Sequence, residues 1–520
     1  MSTLQDDAKV FSLLGHKPAL FVLFFTEMWE RFSYYGMRAL FVLFLTSEIA
    51  KGGWAWSNED ALSLYGWYTG LVYLTPIFGG YIADKLLGYR KAVAFGALLM
   101  TLGHVSMALE TPTFLYIGLA FLIIGNGLFK PNLTSIVSGL YDQNEEKKDG
   151  AYTIYYMGVN AGAFLGIMLC GYIGEKINWS FGFGLAGIFM FLGMLQFWFG
   201  RSILENVGLA PSKQLIDTEK NTQTTTNKIV EEKEISPKVQ GDRYIVVGVL
   251  AFFTIFFWAA FEQAGGSMTI FASKYTNLVL VGNAANIFKI ADTLITIIPL
   301  IIITWVLFKL FLQTFKKISL SNSILGFSFV IIWGIVSWKL YREFSADTTE
   351  VPASWFGILN SLFIISFAPL FSKLWESKYN PSAAVKFGLG LILLGLGFAL
   401  LAFGAISIPQ GAETAKVSMI WLILAYLFHT LGELFLSPVG LSYVSKLVPA
   451  KLIGLMFGIW YLAIFIGNWS AGQLGGMIDE ITSKYSLSTF FLIFTIVPLL
   501  AGSLLILLNP LMKKLMHGVR

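Results

Sequence analysis

The chain has 520 residues, of which 56% are hydrophobic and only 13% charged, and its mean hydropathy is +0.69. Soluble domains carry about twice this charged fraction, so the composition indicates a membrane protein. Lys and Arg on cytoplasmic loops explain the net charge of +5 better than nucleic-acid binding does, and the single Cys170 excludes an intramolecular disulfide.

The apolar segments predict about fourteen helices that cross a bilayer, since each approaches the roughly 20 residues that a spanning helix needs. Six segments precede a polar stretch and eight follow it, which predicts a bundle at 1–200, a disordered linker at 201–243 and a second bundle at 244–520. The predicted spans are Pro18–Leu45, Ala61–Ile82, Ala92–Ala108, Phe114–Val137, Ala151–Ile173, Phe181–Phe199, Tyr244–Phe271, Ile287–Leu312, Leu320–Leu340, Ser354–Trp375, Phe387–Phe403, Ser418–Leu441, Leu452–Gln473 and Thr489–Leu508.

The distribution of basic residues predicts the orientation of these spans. If both termini lie in the cytoplasm, the inner loops carry most of the lysines and arginines, as the positive-inside rule requires. The first span is preceded by a polar stretch and is predicted to be uncleaved, which favours a bacterial inner membrane. Two halves joined by a cytoplasmic linker are the layout of an alternating-access transporter. Basic residues on the predicted inner side include Lys85, Arg90, Lys147, Lys148, Lys316, Lys317, Lys373, Lys378, Lys446, Lys513 and Lys514.

The first predicted span carries charges at its middle and far end, where a charge costs between about 2.5 and 10 kcal/mol. Charges kept there usually line a polar cavity or an ion pathway. Starting from Glu27, the polar positions fall at i+3, i+4, i+7, i+8 and i+11, so they share one helical face. These positions are Glu30, Arg31, Tyr34, Tyr35 and Arg38.

Other predicted spans also contain polar residues, and buried ionic groups must pair or be hydrated. Simple matching sets the cations Arg31, Arg38 and Lys130 of the first half against Glu262 and Glu433 of the second, so a cavity between the halves would suit a zwitterion. Glu27, Glu30 and Glu433 are the candidates for carrying a coupled proton. The further polar residues are Lys130, Asn160, Glu262, Asn360, Glu433 and, one turn after Glu433, Ser437.

Several motifs resemble those of the proton-dependent oligopeptide transporters, a branch of the major facilitator superfamily. The run from Glu27 to Gly36 is similar to the family motif ExxERFxYYG, and LTPIFGGYIADKLLGYRK resembles the superfamily signature between helices two and three. Family segments are also matched, in the right order, at FKPN, the helix of Asn160, FWAAFEQ, PASWF and GELFLSPVG. The resemblance covers nearly the whole chain.

This resemblance implies an all-helical major facilitator fold of two six-helix bundles that imports di- and tripeptides with protons. Arg31, Arg38 and Lys130 would serve the peptide carboxylate or coupling. Asn160, Asn360 and Glu433 would serve the amino terminus, and Ser437 joins this substrate-binding set. Side-chain pockets would be lined by Tyr34, Tyr35, Tyr73, Trp258 and Trp460. Proton coupling would involve Glu27, Glu30, Arg31 and Glu433, and the gating pairs would be Arg38–Glu262 and Lys130–Glu433.

The chain departs from the family pattern at three places. The position of the helix-two histidine of animal members falls near Gly66, so coupling must rest on carboxylates. Asn360 is followed by Ser361 where many relatives have proline. The extra pair of spans, at about 285–342, lies between the seventh and eighth family helices, and its Lys289 and Asp292 are expected to pair locally.

Two other classes of function remain open from the sequence. The same fold could carry another small solute or anion, such as nitrate, a drug-like compound or an amino-acid derivative. A non-transporting peptide sensor or an intramembrane enzyme is more distant, because the sequence has no HExxH, P-loop, dinucleotide or nucleophile-elbow motif. No cofactor, metal or nucleic acid is expected, and the protein is expected to be a monomer in the bilayer driven by the proton gradient.

Overall fold

The computed structural model describes residues 13–141, 145–210, 236–436, 439–449 and 452–519. Long helices dominate this part of the chain. They are α1 Pro18–Thr46, α2 Asn58–Ile82, α3 Tyr89–Met107, α4 Pro112–Gly139, α5 Glu145–Lys176, α6 Trp179–Gly200, α7 Pro237–Phe261, α8 Gly282–Thr314, α9 Ser319–Phe344, α10 Ile358–Glu376, α11 Ala383–Gly404, α12 Ile420–Leu436, α13 Ile453–Gly476 and α14 Leu487–Leu507.

Shorter elements connect these helices. Strand β1 Val279–Leu280, which precedes α8 in the chain, pairs antiparallel with strand β2 Thr349–Glu350, which follows α9. The remaining short helical segments are Ile49–Lys51, Ala83–Leu87, Arg201–Leu204, Glu262–Gly265, Ser267–Ile270, Phe271–Tyr275, Ala353–Gly357, Gly440–Leu447, Ile478–Lys484 and Asn509–Leu515.

Ten of the described helices are long and apolar enough to cross a membrane, namely α4 to α11, α13 and α14. The other four long helices are α1, α2, α3 and α12, with 29, 25, 19 and 17 residues. α1 is long enough to span, but the charges from Glu27 to Arg38 lie along its middle. The structure therefore confirms a helical membrane protein.

The structure begins α7 at Pro237, inside the stretch predicted as linker. Pro237 occupies the first helical turn, and the Ser236 hydroxyl accepts a hydrogen bond from the Val239 N–H, so local capping starts the helix there. The central part of the predicted linker, residues 211–235, lies outside the described residues.

The seventh predicted span, Tyr244–Phe271, is not one continuous helix. The α-helix ends at Phe261, and Glu262 begins a 3₁₀ turn that leads through Gly265 and Gly266. Glycine exposes the backbone and weakens a helix interior, which accounts for the interruption. The break places the Glu262 carboxylate at a helix end.

The chain divides into two compact units. The first comprises Met1–Leu40, Thr75–Asp217 and Leu278–Trp355, and the second comprises Phe41–Leu74, Thr218–Asn277 and Phe356–Arg520. Both α1 and α2 contribute residues to each unit, so unit membership changes within a single helix.

In the first unit, α3 packs against α4 and α6, and α5 packs against α6. Glycines let the α3 and α4 backbones approach closely, because a Cβ added at Gly96 would meet the Gly125 carbonyl oxygen at 2.6 Å. The extra hairpin of α8 and α9 belongs to this unit, and α9 packs on α6. There the Ser321 hydroxyl donates to the Gln196 carbonyl at 2.7 Å.

Within the hairpin, the predicted local pairing of Lys289 with Asp292 is wrong. Lys289 Nζ donates to the Ala346 carbonyl, while Asp292 receives Lys339 Nζ at 2.7 and 2.9 Å on its two oxygens. Lys339 reaches Asp292 across the hairpin because α8 and α9 run side by side, a pairing that spacing within one helix does not reveal.

In the second unit, α11 packs against α12 and α14, α7 packs against α13, and α10 packs against α12. The segment Phe41–Leu74 belongs to this unit and is tied to α13 by hydrogen bonds. Asn468 donates to the Thr69 carbonyl at 3.3 Å, and Gln473 donates to the Ser63 hydroxyl at 3.0 Å.

Candidate functional site

The charged face of α1 forms a buried ion cluster. Glu27, Glu30 and Arg31 are 2%, 0% and 3% exposed. Arg31 Nε lies 3.1 Å from Glu27 Oε1, one turn earlier, and also donates to Glu30 Oε2. One guanidinium therefore serves two carboxylates.

Two neutral donors from other helices complete the coordination of these carboxylates. Asn126 of α4 donates to Glu30 Oε1 at 3.0 Å, and the Tyr155 hydroxyl of α5 donates to Glu27 Oε2 at 2.6 Å. Each carboxylate therefore has Arg31 on one oxygen and a neutral donor on the other. This arrangement satisfies buried acceptors that would otherwise be costly.

The guanidinium of Arg31 is less completely satisfied than its two acidic partners. Among the residues that the structure describes, its Nη2 has no hydrogen-bond partner although the atom is buried. The Arg31 Cζ lies 5.2 Å from the ring centre of Tyr34 and 6.0 Å from that of Tyr35. A buried, fixed N–H donor flanked by aromatic rings is suited to receive an anionic oxygen.

Other predicted residues of the first unit lie near this cluster along the chain or in space. Arg38 packs its guanidinium 5.7 Å from the ring centre of Tyr35. Lys130 follows Asn126 by one turn on α4 and is half-buried. Asn160 of α5 is buried, and its amide donates to the Tyr156 carbonyl at 3.0 Å. An amide held in this way keeps its oxygen as an acceptor for an ammonium group.

The second unit brings together a separate polar group on α10 and α12. The Asn360 amide donates to Glu433 Oε2 at 2.8 Å and to the Thr430 hydroxyl at 3.1 Å. Thr430 donates its own hydroxyl proton to the Tyr426 carbonyl at 2.7 Å, so its oxygen is free to accept the hydrogen bond from the Asn360 amide. Asn360 and Glu433 were predicted together, and the structure places them in contact.

Glu262 has a partner in this unit that the sequence reasoning missed. The Tyr65 hydroxyl of α2 donates to Glu262 Oε2 at 2.9 Å, and both residues are 1% exposed. The predicted pocket residues Tyr73 and Trp258 have ring centres 6.0 Å apart. Trp460 is buried and packs on Phe387, with ring centres 6.5 Å apart.

The sequence predicted Glu27, Glu30, Glu262 and Asn360 but missed their neutral partners, which are Tyr155, Asn126, Tyr65 and Thr430 respectively. A weak signal existed for Asn126, which precedes Lys130 by one turn in GNGLFKPN. Ser437 lies outside the described residues. The pairs Arg38–Glu262 and Lys130–Glu433 each join residues of different units and stay predictions.

Gly66, which stands near the position where animal relatives are expected to carry histidine, lies at a close contact between two helices. A Cβ added at Gly66 would lie 2.8 Å from the Gly472 Cα and 2.9 Å from the Trp469 carbonyl oxygen. Real Cβ atoms do not approach backbone so closely, so the observed packing of α2 on α13 requires glycine here. A histidine side chain does not fit this position in the observed packing.

Comparison with known proteins identifies relatives along the whole chain. A family model described as PTR2, POT family, matches residues 90–243 and 328–493. The chain is 33% identical to the uncharacterized transporter YclF of Bacillus subtilis over the full length of both chains. It is also 32% identical to the peptide transporter YePEPT of Yersinia enterocolitica, covering 98% of this chain and 97% of that protein.

Solved structures of similar proteins have the same fold. One is a peptide transporter POT in complex with sulfate, with a TM-score of 0.73 and 28% identity over 98% of this chain and 97% of that one. Another is a POT family transporter in complex with a thioalcohol-conjugated peptide, with a TM-score of 0.73 and 26% identity over 97% and 98% of the two chains.

We predict that Gly66→Ala lowers the free energy of unfolding by about 1–3 kcal/mol, because the added methyl group pushes α2 away from α13. The melting temperature of the purified protein in detergent measures this effect. Gly80→Ala is the matched control, since it lies on the same helix with no atom within 4 Å of the added Cβ. Equal melting temperatures for the two variants would contradict the close contact.

Proposed function

The chain belongs to the POT family, and on this premise we propose that it is a proton-coupled symporter that imports di- and tripeptides by alternating access. Relatives named as peptide transporters support this proposal, among them the di-/tripeptide transporter of Lactococcus lactis, which is 29% identical over the full length of both chains. No cofactor is required, because the proton gradient supplies the energy.

The proposal includes a major facilitator architecture with fourteen spans, in which α8 and α9 are an extra hairpin beside two six-helix bundles. The ten apolar helices together with α1, α2, α3 and α12 support this count. The lysine-rich loops support cytoplasmic termini and a bacterial inner membrane. We expect the protein to act as a monomer.

The buried Arg31 Nη2 is the observation that carries the proposed function. Every peptide substrate ends in a carboxylate, and a guanidinium N–H fixed by Glu27 and Glu30 is ready to bind one of its oxygens. The donor is pre-organised, so little side-chain entropy is lost on binding. Lys130 and Arg38 add positive charge for the same end of the substrate.

The contact between Asn360 and Glu433 supports recognition of the other end of a peptide. Glu433 supplies a carboxylate and Thr430 a hydroxyl beside the same amide, which are groups that an ammonium can hydrogen-bond. Asn160 would add an amide oxygen. Requiring both a carboxylate and an ammonium selects zwitterionic substrates.

The stoichiometry of the α1 cluster supplies a physical basis for proton coupling. Two carboxylates share Arg31, and Lys130 interacts electrostatically with both, so a proton on either carboxylate makes the cluster more positive and more attractive to an anionic group. Protonation also weakens one of the two carboxylate contacts of Arg31 and so strengthens the attraction of its guanidinium for the substrate carboxylate. A ligand that binds the protonated state more tightly shifts the population toward that state, which links proton and peptide binding.

Transport of nitrate or another small anion is the alternative within the same fold. Such a solute would need a cation such as Arg31 but no partner for an ammonium. The acidic group formed by Glu433, Asn360 and Thr430 would then have no role in recognition. The geometry therefore favours a peptide over a simple anion.

Purified protein in proteoliposomes should accumulate labelled dialanine when an inward proton gradient is imposed, because protons and peptide enter together. Labelled nitrate is measured in parallel on the same vesicles, and a protonophore is the control for coupling. Nitrate uptake without dialanine uptake would overturn peptide transport, and absence of both would favour a non-transporting role.

Glu30→Gln should abolish gradient-driven accumulation of dialanine and leave counterflow measurable. The substitution keeps the shape of the side chain while removing the group that binds the proton. Glu48→Gln is the control, since Glu48 pairs with Lys51 at the surface and its side chain is 72% exposed. If Glu30→Gln still concentrates dialanine against a gradient, Glu30 does not couple the proton.

A further inference from the structure

A polar cavity lies beside the last residue of α1, Thr46, and the proposed transport mechanism does not use it. Its volume is about 570 Å³, within the range of about 300–1,000 Å³ that is usual for small-molecule sites. All of its lining residues belong to the second unit, and it shares no residue with the contact between Asn360 and Glu433. The cavity is therefore a separate feature of this unit.

Hydrogen bonds hold three walls of the cavity together. The loop 410–414 is tied to one wall by the Gln410 side-chain amide, which donates to the Ser483 carbonyl at 2.8 Å. It is tied to another by the Tyr275 hydroxyl, which donates to the Ala412 carbonyl at 3.2 Å. Since these contacts exist without a ligand, the walls are pre-organised and little ordering is needed for binding.

The lining carries charges of both signs, with an excess of carboxylates. Among the described residues, three carboxylates line the cavity together with two ammonium groups. Lys51 lies 3.5 Å from Glu48 on an exposed turn, which leaves Glu413 and Asp479 opposite the single charge of Lys274. Both signs in one cavity suit a zwitterion, and the excess of carboxylates favours its ammonium group.

The two carboxylates act on the same part of the cavity. The Asn58 amide, on a residue that is 4% exposed, donates to Asp479 Oδ1 at 2.8 Å and so fixes this carboxylate. The negative charges of Asp479 and Glu413 both act on the Tyr275 hydroxyl. An ammonium group near this wall would therefore be attracted by both carboxylates.

A buried hydroxyl without a partner also faces this cavity. Thr482 lines it and is only 5% exposed, and within the described part of the chain its Oγ1 has no hydrogen-bond partner. It follows Asp479 by three residues in the helical segment Ile478–Lys484, so the two side chains are neighbours on one face. A buried polar atom without a partner is costly, and a donor from a ligand would remove that cost.

We propose that this cavity is a second, peripheral binding site for zwitterionic peptides. It holds the peptide ammonium by Asp479, Glu413 and the Thr482 hydroxyl, and the peptide carboxylate beside Lys274. This inference rests on the proposed function, because it takes the same class of substrate. In the proposed orientation the end of α1 lies on the outer side of the membrane, where imported peptides arrive.

The test is photolabelling of the purified protein with alanyl-photoleucine, a zwitterionic dipeptide that carries a diazirine, followed by mapping of the label by mass spectrometry. Label is expected on the segments 273–275, 410–414 and 479–483. Propionyl-photoleucine, which differs only by the missing amino group, should label these segments about tenfold less, the loss expected for a hydrogen bond to a charged group. An excess of dialanine should remove the label.

Two variants test the assigned groups. The double variant Glu413→Gln with Asp479→Asn keeps the side-chain shapes and should lower this label about tenfold. Thr482→Val removes only the hydroxyl and should lower it about fivefold, and it decides the question if the double variant does not fold. Glu480→Gln is the matched control with unchanged label, since Glu480 adjoins Asp479 but is 58% exposed at its side chain and pairs with Lys484.

Equal labelling of these segments by both probes would overturn the peripheral site, because it would show attachment to an exposed surface without recognition of the amino group. Label confined to α1, α10 or α12 would also overturn it while leaving peptide transport intact. Absence of proton-driven dialanine uptake by the wild-type protein would instead contradict the proposed function, so the two failures are distinguishable.

Discussion

The buried contact of Arg31 with Glu27 and Glu30 is the interaction on which the rest of the site depends. Charges inside a membrane-spanning helix are costly unless they are paired and hydrogen-bonded. Here α4 and α5 each contribute one neutral donor, Asn126 and Tyr155, so three helices are needed to satisfy one cluster. Within the described part of the chain, the same arrangement leaves Arg31 Nη2 without a hydrogen-bond partner.

A second constraint is that close packing and hydrogen bonds must choose which helices become neighbours, because the hydrophobic effect alone does not. In lipid, packing and hydrogen bonds rather than apolar burial select one helix neighbour over another. The Gly66–Gly472 contact shows the packing term, and the anchoring of Ala353 and Ser354 by Glu175 shows the hydrogen-bonding term. Each contact fixes one segment on a neighbouring helix within its own unit.

Much of the architecture and the charged half of the site could be predicted from the sequence. Apolar segments identified the helices, and the spacing from Glu27 to Arg38 identified the charged face. What could not be predicted were contacts between helices, because periodicity within one helix says nothing about its neighbour. Asp292 was therefore assigned to Lys289 rather than Lys339, and the contact of Tyr65 with Glu262 was missed.

The most direct test of the account is whether Arg31 recognises the substrate carboxylate. Binding of dialanine and of dialanine amide to the purified protein can be compared by titration calorimetry, in the wild type and in Arg31→Lys. We predict that the wild type prefers the free carboxylate by about tenfold or more and that Arg31→Lys, which keeps the charge but lacks the rigid planar fork of N–H donors, loses most of this preference. An undiminished preference in Arg31→Lys would contradict it.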